Sequence, residues 1–181
     1  MPYATPQRFV QEFGLDETTQ LLQDTQRLVT SALLKLAMAG TLPSAPTSGV
    51  TQDQLDAVNA GMARLNRKLF DMSNFMDGFL RSAVTLPLPD NHRDAGVLEE
   101  CCLALVRFGM CNSTDNSTEG MKDMDARWRD WLKEVQKGRV QLVDSATGDG
   151  PVVSNRFRSG PVKSRFDWEF NERFGQGGGA L

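Results

Sequence analysis

Along most of the chain apolar residues recur three or four positions apart, the spacing of a helix with one buried face. In TPQRFVQEFG, residues 5–14, Thr5 stands as an N-cap, Pro6 takes the first helical position and Gly14 is the stop, with Phe9, Val10 and Phe13 on the apolar face. A second pattern predicts one helix from Asp16 or Glu17 to about Ala39, carried by Leu21, Leu22, Leu28, Val29, Leu33, Leu36 and Met38 and ended by Gly40. GTLPSAPTSGV, residues 40–50, concentrates Pro, Gly, Ser and Thr and reads as a linker. Thr51 and Gln54 have the spacing of a capping box and open the longest helix, about 52–83, with Leu55, Val58, Met62, Leu65, Leu69, Met72, Met76 and Phe79 as its stripe. The prolines of LPLP, residues 86–89, then impose extended backbone.

A fourth helix fits 94–111. Val97, Leu98, Cys101, Cys102, Leu105, Val106 and Phe108 give it so broad an apolar face that it is expected to be the most buried. A fifth fits 118–137, with Met121, Met124, Trp128, Trp131, Leu132 and Val135 apolar, Lys133 and Lys137 near its C-terminus and Gly138 beyond it. RVQLV, residues 139–143, alternates and has the pattern of a short strand. The predicted fold is all-α: a compact bundle of about five helices around one long central helix, residues 1–143. Its predicted core includes Phe9, Phe13, Leu65, Leu69, Phe79, Leu98, Leu105, Trp128 and Leu132. The methionine stripe of the long helix belongs to that core, and the helix is longer than a four-helix packing of this size needs, so one end is free to project into a subunit interface.

Residues 144–181 break this pattern and form an expected C-terminal docking arm. After the turn-rich DSATGDGP comes NRFRSGPVKSRFDWEFNERF, residues 155–174, which has no steady period yet holds five of the chain's fourteen aromatics: Phe157, Phe166, Trp168, Phe170 and Phe174. At about 25 cal/mol per Å² and 150–250 Å² per aromatic, each offers roughly 4–6 kcal/mol of gross burial, against the entropy of ordering the arm. Such a segment requires a surface to bury against.

Charge sharpens the division. The 181 residues carry a net −3, but residues 1–150 hold 15 basic and 20 acidic side chains and residues 151–181 hold 5 and 3. An acidic body precedes a mildly cationic arm bearing Arg156, Arg158, Lys163, Arg165 and Arg173. No apolar run is long enough for a membrane span, and MPYATPQRF has no signal-peptide h-region. Cys101 and Cys102 are neighbours within a helical pattern and point about 100° apart, so the three cysteines are expected reduced, in a cytoplasmic setting. The sequons at 112–114 and 116–118 then read as a polar loop between helices.

Catalytic chemistry finds little support. The single histidine, His92, falls in the polar LPDNHRD and is expected at the surface, and no second His or CxxC pair supplies metal-ligand spacing. Cys111 has no base nearby in sequence, Glu99–Glu100 and Asp123–Asp125 read as solvated helix faces, and GQGGGAL lacks the Lys and helix of a phosphate loop. An enzyme acting through Cys111 or His92 stays the weakest class. A small helical DNA-binding or regulatory protein with a basic aromatic arm is the alternative, resting on Arg64, Arg67 and Lys68 and on the arm's arginines.

Four stretches together resemble the Mu-like head–tail adaptor proteins of tailed bacteriophages, a head-completion family. PYATPQRFVQEFG resembles that family's YAT…L…FG opening, and MDGFLRSAVTLPLP (76–89) its IDGYL…YPLPL segment. VLEECCLALVRFGM (97–110) is similar to its buried helix after the proline loop, and ARWRDWLKEVQKGRVQL (126–142) to RYEDALRWLRDVAKGKVSL. Order and spacing agree over 1–143 apart from an expanded stretch at about 24–50, and the arm is similar only loosely. The resemblance implies a non-enzymatic structural protein of the virion neck, assembled in the host cytoplasm and without cofactor or metal. It implies a homo-oligomeric ring, dodecameric in most related connectors, between the portal protein and the stopper or tail-terminator proteins, with double-stranded DNA passing through without sequence recognition. An acidic body suits such a channel, since a cationic lumen would hold phosphate. The arm would lie along the portal or a neighbouring subunit.

Overall fold

The computed structural model describes residues 2–23, 26–47, 49–88, 92–113 and 117–142, all within one unit. Among these residues the fold is all-α, with six helices: α1 Pro6–Phe13, α2 Leu15–Leu22, α3 Ser31–Met38, α4 Gln52–Leu80, α5 Ala95–Ser113 and α6 Glu119–Gln136. α4 packs against each of the other five, and α5 packs against α4 and α6. At 29 residues α4 spans about 43 Å, and only so long a rod presents enough ridge for five neighbours.

Local chemistry explains most of the helix ends. In α1 the Thr5 hydroxyl accepts from the Arg8 N–H, Pro6 sits at the start, and Gly14, at φ 83°, donates its N–H to Val10. The capping box of α4 forms in full: Thr51 Oγ1 accepts from Gln54 N–H (3.3 Å), and Gln54 Oε1 accepts from Thr51 N–H (3.0 Å). Such caps contribute about 1 kcal/mol each. α4 closes at Leu80, and 81–83 continue as turns.

The single helix expected from 16 to 39 is two helices. α2 stops at Leu22, and the Gln23 side chain folds over to donate to the Val29 carbonyl (2.8 Å). Arg27 takes φ 54°, a left-handed conformation that no helix contains. Thr30 restarts the chain by accepting from Leu33 N–H (3.3 Å). The apolar spacing runs through this break because Val29 is buried as a loop residue, not as part of a helix face. The break lets both short helices turn back onto α4. Gly61 marks a close approach of α2 to α4, where an added Cβ would lie 3.3 Å from Leu22.

The core is continuous through the described residues. Phe9, Leu65, Leu69, Leu98, Leu105 and Leu132 are fully buried, while Phe13, Phe79 and Trp128 pack against them half-buried. Among the described residues α5 buries eight side chains in 19 residues, against seven in 29 for α4, so it is the more deeply enclosed of the two. The methionines of α4 divide: Met76 is buried, and Met62 and Met72 are partly covered. Three positions assigned to apolar faces remain exposed, namely Leu36, Val97 and Met124.

The strand expected at 139–143 does not form over its described part, 139–142. Alternation was real but had no partner strand to pair with among the described residues. Gly138 at φ 71° turns the chain out of α6, Arg139 N–H donates to Glu134 O, and Leu142 is buried against the helical core. Residue 143 lies outside the described residues.

Candidate docking groove

An open cavity of about 500 Å³ lies where α1, α5 and the first half of α6 meet. α1 contributes Glu12 and Phe13, α5 contributes Glu100, Leu103, Ala104, Arg107 and Phe108, and α6 contributes Met121, Met124 and Trp128. The walls are apolar and the rim is charged. The size falls within the ordinary range for sites that take a small molecule or a side chain.

Its geometry is fixed by long-range polar contacts. Arg107 Nε donates to Glu17 Oε1 (2.6 Å) and Nη2 to Oε2 (2.9 Å), a two-point clamp between α5 and α2. The same guanidinium stands 4.6 Å over the Phe13 ring. Phe13 in turn meets Phe9 edge-on at 4.8 Å, tying the groove wall to the core. Arg8 reaches across to Glu99 (3.1 Å). On the far wall Trp128 and Trp131 meet edge to face at 5.6 Å, and Arg129 is held by Asp125 (2.7 Å) over Phe75 (4.9 Å). Glu12 and Glu100 are exposed at the rim; neither forms an ion pair among the described residues, although Glu12 lies within electrostatic reach of Arg8.

Most of this was missed from sequence. Glu17 and Arg107 are 90 residues apart, and no spacing rule links them. The available signal was the excess breadth of the α5 and α6 apolar faces, which exceeds what their neighbours cover. Met124, 47% exposed, is the visible result.

The arm residues singled out from sequence, Arg156, Phe157, Arg158, Lys163, Arg165, Phe166, Trp168, Phe170, Arg173 and Phe174, lie outside the described residues. Other candidates are placed clearly. His92 is not a surface residue: it is 4% exposed, and its Nδ1 accepts the Asp94 N–H (3.1 Å) at the start of α5. It behaves as a cap, and its Nε2 has no hydrogen-bond partner among the described residues. None of the three cysteines is in a disulfide, and all are buried. Burial pushes the Cys101 thiol up to about 12, and burial pushes Cys102 up to about 11 against a weak contact with Ser73 Oγ (3.7 Å). Burial also raises Cys111, the wrong direction for a nucleophile. No group of three or more His, Cys, Asp and Glu among the described residues is placed to hold a metal ion.

The three cations of α4 do not act together. Arg64 donates to the carbonyls of Leu21 and Gln23 (both 3.4 Å), closing the end of α2. The Lys68 stem lies over Gly109 of α5, so close that an added Cβ would be 2.4 Å from its Cε. Arg67 makes only a loose contact with Asp71 at 4.0 Å.

The chain matches the family described as Bacteriophage Mu, Gp36 over residues 3–159 of 181. It belongs to the bacteriophage Mu Gp36 family. No curated protein and no solved structure matches it. The Gp36 match takes in all six helices, all three walls of the groove and the first residues of the arm, including Arg156, Phe157 and Arg158. Among the described residues no helix is long and apolar enough to cross a membrane.

Proposed function

We propose that this phage protein is a structural head–tail adaptor, a non-enzymatic component of the virion neck. Copies of the helical body pack side by side into a ring, of twelve subunits by analogy with related connectors, between the portal protein and the stopper or tail-terminator proteins. The genome passes through the ring, and the arm lies along the portal or a neighbouring copy. The observation that carries this reading is the Gp36 family match over a helical domain that is acidic as a whole, with 20 acidic against 15 basic side chains in residues 1–150. A wall of that sign lets duplex DNA slide without being held. Two of the three α4 cations that a DNA-binding reading would use are engaged within the fold, which weakens that alternative.

Cryo-electron microscopy of the particle neck tests the proposal. The expected result is a closed ring of this chain directly beneath the portal. Finding the chain in the capsid shell or at the tail tip, or finding none in purified particles, would overturn it.

A further inference from the structure

The groove between α1, α5 and α6 has a feature the adaptor reading leaves unused. Its floor is apolar, with Leu103, Phe108, Met121 and Met124 among its lining. Its one cation, Arg107, is already clamped by Glu17 and stacked on Phe13. Of the two remaining charged groups, Glu12 feels only Arg8, which is itself ion-paired with Glu99, and Glu100 has no ion pair among the described residues. The site therefore fits an aromatic or aliphatic anchor flanked by positive charge.

One stretch of this chain has that chemistry. The arm's charge is not evenly spread: residues 155–166, NRFRSGPVKSRF, hold four cations and no acid. Residues 167–174, DWEFNERF, hold three acids and one cation. Only the first part complements an acidic rim, and in it Phe157 is bracketed by Arg156 and Arg158. Reach permits contact with another copy. Leu142, the last described residue, is buried, and Asn155 follows thirteen residues later. Those thirteen residues span up to about 45 Å, roughly the length of α4.

We infer that the groove of one copy receives residues 155–166 of the next, with Phe157 as the apolar anchor and Arg156 and Arg158 meeting Glu12 and Glu100. This rests on the ring reading. An arm of one subunit in a groove of the next is a head-to-tail contact, the kind that propagates around a ring until it closes. The more acidic remainder of the arm, with Trp168 and Phe170, is left for a different surface.

The test uses phage particles whose full-length chain carries the photoreactive p-benzoylphenylalanine in place of Phe157. Irradiated particles are denatured, and crosslinked species are separated by mass and mapped by proteolysis and mass spectrometry. The expected product runs at twice the 20.0 kDa of one chain and joins position 157 to α5 or the first half of α6. The same peptides joined within a single-chain band, or a crosslink to another protein or another face, would overturn the inference. If the chain is absent from the necks of these particles and of wild-type particles, the ring reading itself has failed, which separates the two. Charge reversal gives a second readout: with Glu12→Lys and Glu100→Lys the crosslink should fall at least about tenfold, and adding Arg156→Glu and Arg158→Glu should restore it. A yield unchanged by the first pair, or not restored by the second, would also overturn it.

Discussion

The two sides of α5 differ in how completely the neighbouring helices cover them. Toward the core it is sealed: Leu98, Cys101, Cys102 and Leu105 are fully excluded from water, and burial holds the thiols protonated well above their ordinary range. Toward α1 and the first half of α6 it opens onto the groove, where Glu100 is exposed, Phe108 is half-covered and Met124 is nearly half in water. Both sides carry apolar side chains one helical turn apart. The difference lies in whether a facing helix reaches them. The sealed side accounts for stability, and the open side leaves apolar area and charge unspent, available for a partner.

The comparison breaks most readily at its sealed side. Leu105→Ala removes a fully buried side chain and should cost about 3 kcal/mol, read as a lower urea midpoint with unchanged slope. A loss under about 1 kcal/mol would mean the seam repacks easily and is not the rigid half. At the boundary between the sides, Arg107→Ala removes both the Glu17 clamp and the stacking on Phe13. A smaller loss of about 1–2 kcal/mol is expected, since both partners are about 30% exposed and water screens them.

Alkaline titration sharpens the contrast further. The folded chain holds the Cys101 and Cys102 protons where the unfolded chain, with thiols near 9.0, releases them. The unfolded state then binds fewer protons, so stability is fully present below about pH 9 and falls as pH rises toward the folded values. By pH 10 the loss should be about 1 kcal/mol per thiol, measured as the difference in unfolding free energy from pH 8. Cys101→Ala should flatten that limb whatever it does to stability at pH 8; an unchanged slope would mean the thiol is not the titrating group. On the open side Met124→Ala should change stability by less than about 0.5 kcal/mol, because its side chain is nearly half in water already. A large loss would show that the groove wall is part of the core.

Legibility from sequence followed the range of the interactions. The ends of α1 and the start of α4 were readable because their caps join residues within four positions of each other. The break between α2 and α3 was not, because a buried Val29 preserves helical spacing through a segment that is not helical. His92 misled for a related reason. Polar neighbours argued for a surface loop, yet its ring is enclosed by the fold and spends Nδ1 on the entry to α5. RVQLV alternated like a strand, and α6 and the core claimed Leu142 instead.

From the sequence alone came the helical class, the long capped helix, the opposition of an acidic body to a cationic aromatic arm, and a resemblance to a phage family that the Gp36 match extends across most of the chain. Those are properties of composition, period and local hydrogen bonding, which short stretches determine by themselves. Tertiary structure alone decided where the long apolar pattern divides, which of the α4 cations are engaged, and that a groove remains beside α5 with two carboxylates on its rim. Such features depend on which helix faces which, and that is set by groups such as Glu17 and Arg107 that lie 90 residues apart and meet only when the core closes.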